Sequence, residues 1–205
     1  AIIVCPGCAT VYRAHMFENL IIPQGTLAED MDFTFLLHRK KMGRIEYCGK
    51  AVVDTQDPLS LRDLVKQIDR WYTGFWQCVL KHDFPWRGQM VDFEVALAAT
   101  EGLLSGVLSL VGLVLFPILL FTKPEVALIP VILDLVLLTL PTVLITAFKY
   151  RTWKLLLIFP SFYFLKILAN FVFFKSFFKI VLGIDFSVGW NKVKRYEVKE
   201  ESWAL

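Results

Sequence analysis

The sequence predicts an α/β domain followed by a helical membrane region, and three observations support this fold class. Residues 1–96 carry most of the charged side chains and alternate short strand-like runs with helical patterns. Residues 97–122 and 126–148 carry one charged side chain each, Glu101 and Asp134. Hydrophobic residues make up 56% of the 205-residue chain, against roughly 45–50% in soluble domains. A wholly soluble globule and a disordered chain are therefore excluded.

Short strand-like runs punctuate the first half of the chain. They lie at residues 1–4, 9–13, 45–47 and 51–53. The first helix is predicted to begin near residue 29, where acids at 29, 30 and 32 oppose the positive end of the helix dipole. It ends by Gly43, after two lysines. The second begins after Ser60, a predicted N-cap with Asp63 three residues later, and runs to about Lys81.

One face of the second helix combines three side chains suited to sugar and phosphate. Gln67, Arg70 and Trp71 are spaced i, i+3 and i+4, so they share a face. The Arg fork matches pyrophosphate oxygens, and an indole stacks on a pyranose ring. The alternative is a packed helix with its Trp in the core and its Arg in a solvated ion pair. Spacing alone leaves both interpretations open.

The four cysteines permit a second kind of site. Cys5 and Cys8 have the C-x-x-C spacing of a redox dithiol, but the residues that follow read as extended rather than helical. Small packing residues beside a turn explain the pair as well. Zinc is disfavoured because Cys48 and Cys78 stand alone. The thiol interpretation corresponds to a non-enzymatic membrane subunit.

Four short motifs follow one another along the chain. Residues 6–13 match S-G-x-x-x-x-x-R with Pro6 in place of Ser, and residues 28–30 read Ala-Glu-Asp. Residues 67–71 read Q-x-x-R-W, and residues 189–195 contain W-x-K-x-x-R. This ordered set resembles the processive family-two membrane glycosyltransferases, which include the poly-N-acetylglucosamine, chitin, hyaluronan and cellulose synthases.

The resemblance implies catalytic roles for the acids of the second motif. Asp30 would be the general base that takes a proton from the acceptor hydroxyl, with Glu29 as a supporting acid. Asp32 would serve the end of the helix. Without the resemblance, the position of Asp30 would favour a simpler interpretation, in which it is an acid in the first turn of a helix with no catalytic role.

The remaining matched residues would bind substrate. By the resemblance, Gln67 and Arg70 bind the acceptor end and the diphosphate leaving group, where negative charge grows in the transition state. Trp71 would be the platform for the terminal sugar of the polymer. Gly7 and Cys8 would contribute further substrate contacts.

The resemblance also implies a fold, a donor and a cofactor. Residues 1–81 would be the carboxy-terminal half of a cytoplasmic GT-A-like, Rossmann-like domain that uses a UDP-sugar and a polysaccharide or glycan acceptor. The family binds nucleotide and a divalent cation, Mg or Mn, through acidic motifs that include a D-x-D. No D-x-D precedes residue 28, and the formal one at residues 30–32 occupies the position of the base. The sequence therefore predicts a fragment whose metal ligands lie outside this chain and which is inactive alone.

The second half of the chain predicts a membrane region over residues 97–182. Residues 82–96 mix aromatics with cations and suit the headgroup layer, although an ordinary loop is equally compatible. Spans are expected at about 97–121, 126–148 and 155–175, followed by a polar tail over 183–205. Lysines and arginines between 149 and 154 place that loop and the front domain in the cytoplasm. The expected location is the plasma membrane.

Two features of the spans allow alternatives. Lys166 and Lys175 interrupt the third stretch, which either crosses the bilayer or lies partly along its surface. Asp134 either lines a wet path for sugar or hydrogen-bonds to a neighbouring helix.

The functional expectation is inverting transfer of a hexosyl or N-acetylhexosaminyl group to a growing polysaccharide, coupled to its export. A non-processive, ceramide-type lipid glycosyltransferase is the alternative. A net charge of +3 and the absence of a basic-aromatic RNA motif exclude nucleic acid as a partner.

Overall fold

The computed structural model describes residues 1–18 and 20–184, and the regular structure in this part of the chain is helical. The helices are α1 (Glu29–Arg39), α2 (Leu61–Lys81), α3 (Met90–Thr122), α4 (Pro124–Asp134), α5 (Leu140–Tyr150) and α6 (Phe159–Val181). Short 3-10 turns lie at Ala14–Phe17 and Trp153–Leu156, and a π-helical segment, Leu135–Thr139, joins α4 to α5. The W-x-K-x-x-R motif at residues 189–195 and most of the predicted tail lie outside the described residues.

The predicted α/β domain is wrong for the described residues, which contain no strand and therefore no Rossmann-like sheet. A strand needs a partner strand for its backbone polar groups, but the first segment bonds to side chains of α1 instead. The Cys5 N–H donates to Thr34 Oγ1 at 2.9 Å, and His38 Nε2 lies 2.8 Å from the Ile2 carbonyl oxygen. The runs at 45–47 and 51–53 contribute nothing to the core, since Tyr47 is 87% exposed and residues 51–53 are all exposed.

The two helices predicted for the front half are confirmed. Ser60 caps α2, because its hydroxyl oxygen accepts a hydrogen bond from the Asp63 N–H at 3.1 Å. Helix α1 has its acids in the first turn and stops at Arg39, and Gly43 then takes a φ of 136° that favours glycine. Capping chemistry therefore located both helices correctly.

The chain divides into two compact units. The first comprises Ala1–Glu101 with the described residues from Lys175 onward. In it α1 packs on α2, and Leu20, Phe33 and Leu37 form a small apolar cluster. The end of α6 joins this unit through an ion pair between Lys175 and Asp69, with Nζ and Oδ1 3.0 Å apart.

The second unit, Gly102–Phe174, is held by close helix contacts. A Cβ on Gly102 would lie 2.3 Å from the Phe173 ring, so α3 and α6 approach closely there. Asn170 donates to Ser109 Oγ at 3.0 Å across the same pair of helices.

Asp134 bonds to a neighbouring helix, as one of its two interpretations expected. Lys166 Nζ of α6 lies 2.6 Å from Asp134 Oδ1, and Thr139 Oγ1 donates to Oδ2 at 2.8 Å. The acid and the lysine that interrupt two apolar stretches therefore partner each other, which lowers the cost of both in an apolar environment.

Two of the three predicted spans lie in helical stretches that are long and apolar enough to cross a membrane. Within the described residues these stretches are Met90–Thr122 and Pro124–Tyr150. Helix α6 is not one of them, and the third span stays a prediction. Residues 82–87 form turns and residues 90–96 belong to α3, while the location of residues 82–96 at a membrane surface stays a prediction.

Candidate active site

The candidate site is built on the contact between α2 and residues 26–28, the segment that leads into α1. Gly74 lies in the middle of α2 against Ala28, and a Cβ added to Gly74 would be 2.6 Å from Ala28 Cβ and 2.8 Å from its backbone nitrogen. Only glycine permits this approach, since real Cβ atoms do not come so near to backbone. The Q-x-x-R-W helix and the Ala-Glu-Asp motif therefore touch directly.

Polar side chains of α2 reinforce this contact on either side of Gly74. Arg70 Nη1 donates to the Leu27 carbonyl oxygen at 3.4 Å, and the Leu27 N–H donates to Gln77 Oε1 at 2.8 Å. Cys78 Sγ lies 3.7 Å from the Ala28 carbonyl oxygen. Burial raises the pKa of the Cys78 thiol to about 12, so it stays protonated as a weak donor.

Asp30, the predicted base, lies at the second position of α1 and is partly buried. Its Oδ2 accepts from the Gly7 N–H at 3.3 Å, and its Oδ1 accepts from the Met31 N–H at 2.8 Å. Gly7 belongs to a turn closed by a bond from the Ala9 N–H to the Pro6 carbonyl at 3.1 Å. Two of the sequence motifs thus meet at one carboxylate.

The other predicted site residues lie around this contact without bonding to Asp30. Glu29 and Cys8 are exposed, and neither is joined to Asp30 by a hydrogen bond within the described residues. Gln67 is half-buried on α2, one turn before Arg70. Trp71 is 47% exposed, so it is not the core residue of the packed-helix alternative.

Asp32, assigned from sequence to the helix end, has a larger role. Its fully buried carboxylate receives three hydrogen bonds: Thr26 Oγ1 and Lys81 Nζ bind Oδ2 at 2.9 and 2.7 Å, and His82 Nε2 binds Oδ1 at 2.7 Å. Burial by itself would raise the pKa of Asp32, but these hydrogen bonds outweigh it and the pKa is lowered. We call Asp32, Thr26, Lys81 and His82 the Asp32 cluster.

A second buried acid lies at the other end of α1. Arg39 holds Asp92 with both terminal nitrogens, at 2.9 and 2.8 Å, and also donates from Nε to the His82 carbonyl at 3.0 Å. Hydrogen bonding to Arg39 lowers the pKa of Asp92 against the opposing effect of burial. This bidentate pair fixes the start of α3 to the end of α1.

The described residues do not form a metal site. They contain no group of three or more His, Cys, Asp or Glu side chains that could hold an ion. The divalent cation implied by the resemblance therefore stays a prediction, and no chemical step is assigned to it.

Sequence reasoning missed the residues that join the two motifs. Gly74 carried a signal, because an isolated glycine inside a helical pattern indicates close backbone approach. Arg70, Gly74, Gln77 and Lys81 also recur at helical spacing on one face of α2. The partnership of Asp32 with His82 had no local signal, since the two residues are far apart in the chain.

Comparison with known proteins identifies the class of enzyme that this site belongs to. A family model described as glycosyl transferase family group 2 matches residues 2–183, most of the chain. The chain therefore belongs to this family of glycosyltransferases, which transfer a sugar from a donor to an acceptor. Searches of curated proteins and of solved structures each returned no match.

Proposed function

We propose that this protein transfers a sugar from a UDP-sugar to the end of a growing polysaccharide, with inversion at the anomeric carbon. The observation that carries the proposal is the direct contact of the two motifs, with Gly74 against Ala28 and Arg70 bonded to Leu27. This contact brings the segments that carry Asp30 and Arg70 next to each other. A base and a cation at one site are what sugar transfer to a hydroxyl requires.

In the proposed step Asp30 takes the proton of an acceptor hydroxyl, and the hydroxyl oxygen attacks the anomeric carbon. The bond from that carbon to the diphosphate breaks, and UDP leaves with the bonding electrons. The Arg70 guanidinium offsets the charge that develops on the diphosphate. The Gly7 and Met31 N–H groups orient the Asp30 carboxylate, because each donates to one of its oxygens.

Trp71 supports a sugar polymer as the acceptor. Its indole is half-exposed and follows Arg70 directly, so a terminal sugar stacked on it would lie beside the leaving group. The two apolar helical stretches support a location in a membrane. The proposal adds that residues 1–81 lie in the cytoplasm and that the membrane is the plasma membrane. A hexose or N-acetylhexosamine is the proposed sugar.

The test is incorporation of radiolabelled sugar from a panel of UDP-hexoses and UDP-N-acetylhexosamines by membranes that contain the full-length protein, because the ligands for nucleotide and metal are predicted to lie outside this chain. Asp30→Asn should lower transfer about a hundredfold or more, because the base is lost while the shape is kept. Trp71→Ala should shorten or abolish the polymer, whereas Trp86→Ala, which removes an exposed indole outside the motifs, should leave it unchanged. Wild-type levels of polymer from Asp30→Asn would refute the proposal.

The product separates the two enzymatic alternatives. A long polymer supports the proposal, and a single sugar on a lipid replaces it with the ceramide-type alternative. The thiol alternative is tested by changing Cys5 alone to Ser, which breaks the C-x-x-C pair and should leave transfer intact, since Cys5 is not a predicted substrate contact. Cys5 is buried and Cys8 exposed in the structure, and both are free thiols.

A further inference from the structure

We infer that Asp32 is a positioning residue, whose cluster sets Asp30 relative to Arg70 and Trp71. The inference rests on the proposed function and deepens it. The proposed chemical step does not use Asp32, although its carboxylate is the most deeply buried acid near Asp30.

The cluster joins three segments of the chain at one carboxylate. Asp32 belongs to α1, Thr26 precedes it, and Lys81 and His82 end α2. Lys81 Nζ also donates to the Gln24 carbonyl at 2.9 Å, which ties the same end of α2 to the start of the loop. Each of these bonds is directional, so together they fix an orientation rather than only a distance.

The cluster residues at the end of α2 lie several helical turns away from the motif residues Arg70 and Trp71. Eleven residues separate Arg70 from Lys81, which corresponds to about 16 Å of helix at 1.5 Å per residue. Gly74 lies between them, where its missing side chain lets the helix rest on Ala28. Without the bonds of Lys81 and His82 to Asp32, α2 could pivot about the Gly74 contact and carry Arg70 and Trp71 away from Asp30.

A purely stabilising role does not explain the cluster well. Removing a carboxylate from water costs several kcal/mol, and buried ion pairs are often no better for stability than apolar residues of similar volume. In some proteins a buried polar group of this kind instead selects one arrangement of the chain. In this chain the Asp32 cluster would fix how α2, which carries Arg70 and Trp71, is oriented relative to the segment that carries Asp30.

The first measurement does not depend on enzyme activity. Hydrogen exchange is followed at the backbone amides of residues 24–32 in Asp32→Asn and in Asp92→Asn. Asp92 is the matched control, since it is also a buried acid with a lowered pKa, and its substitution keeps an oxygen for Arg39. Faster exchange at 24–32 only in Asp32→Asn supports the inference, and equal exchange in both variants overturns it.

The second measurement is steady-state transfer of sugar by the same membranes. Asp32→Asn should lower kcat at least about tenfold with little change in the KM for UDP-sugar, because displacement of a catalytic group by about 1 Å can cost about a hundredfold. Asp92→Asn should change kcat less than about twofold per folded molecule. Equal kcat losses in the two variants would show that Asp32 has only a structural role, and the inference would be wrong.

Substitutions that keep or remove the donors complete the test. Lys81→Arg and His82→Gln retain groups that can donate to Asp32 and should keep most of kcat, whereas Lys81→Met and His82→Phe should not. Equal effects of the conservative and apolar substitutions overturn the inference. If the full-length wild-type protein transfers no sugar from any donor, the proposed function fails, while the exchange difference still decides the role of Asp32 as a clamp between the segments.

Discussion

The two compact units of this protein differ in how deeply their paired charged side chains are buried. In the first unit Asp32 and Asp92 are almost fully buried, and each accepts directional hydrogen bonds that lower its pKa. In the second unit the rings of Phe173 and Phe174 pack on Gly102 and Gly106. Directional bonds fix how elements are oriented, whereas apolar contact mainly fixes how closely they approach. Both units contain directional hydrogen bonds, but the two most deeply buried acids of the described residues lie in the first unit, which also contains the predicted catalytic residues.

The largest effect on stability is expected from Gly74→Ala in the first unit. The added Cβ would collide with the Ala28 Cβ and backbone, which cannot rotate away, so we expect a loss of about 1–3 kcal/mol. In an unobstructed helix the same change gains roughly 0.5–1 kcal/mol. Gly112→Ala is the control, since a Cβ there meets nothing within 4 Å. Pulse proteolysis in urea measures both, and a gain for both variants would contradict the contact.

The second effect is loss of stability of the first unit in acid. Folding lowers the pKa of Asp32 and Asp92, so their stabilisation is complete above the unfolded value of about 3.9 and is lost as pH falls through the folded values. Pulse proteolysis from pH 6 to about pH 2 should show cleavage within residues 1–101 rising as the pH falls below about 4. Asp32→Asn should flatten this dependence. A profile unchanged by the substitution would show that Asp32 has no such linkage.

A smaller loss is expected from Gly102→Ala in the second unit. The added Cβ would contact the Phe173 ring, a side chain that can turn aside, so we expect about 1 kcal/mol. Stability of residues 102–174 should fall, again by pulse proteolysis, with no change in amide exchange at residues 24–32. A loss larger than that of Gly74→Ala would reverse the comparison between the units.

The smallest effect is expected from the ion pair between Lys175 and Asp69. The two side chains are 53% and 27% exposed, and water screens such pairs, so breaking it should cost less than about 1 kcal/mol. The double variant Lys175→Asp with Asp69→Lys should recover that loss. A cost of several kcal/mol, or no recovery in the double variant, would show that this pair is not an ordinary surface contact.

Capping residues and charges near the helix ends predicted the helices of the front half correctly, but they did not predict its fold class. Ser60 and the acids near residue 29 marked helix starts because capping depends on neighbours in sequence. The strand-like runs led to a wrong prediction of an α/β fold, because a strand forms only beside a partner strand. The backbone groups of Ile2 and Cys5 instead form hydrogen bonds with side chains of α1. A short run of residues does not show whether another strand will pair with it, so the sheet could not be predicted from these runs alone.

The candidate site was also only partly accessible from sequence. Motif order selected Asp30 and Arg70, and the structure brings their segments into contact, while their chemical roles stay predictions. The Asp32 cluster was missed because Asp32 and His82 are 50 positions apart in the sequence. The pairing of Lys166 with Asp134 was missed for the same reason. Each residue was visible as a polar interruption of an apolar stretch, but only the structure shows that the two form an ion pair.

The contact between Gly74 and Ala28 has a consequence for how this enzyme can diverge over evolutionary time. Arg70 and Gln77 hold Leu27 through its main chain, so these bonds persist whichever side chain occupies position 27. A Cβ at position 74 would lie 2.8 Å from the main-chain nitrogen of residue 28, and no substitution at position 28 removes that nitrogen. Descendant sequences should therefore keep glycine at position 74 even where the side chain at position 27 changes.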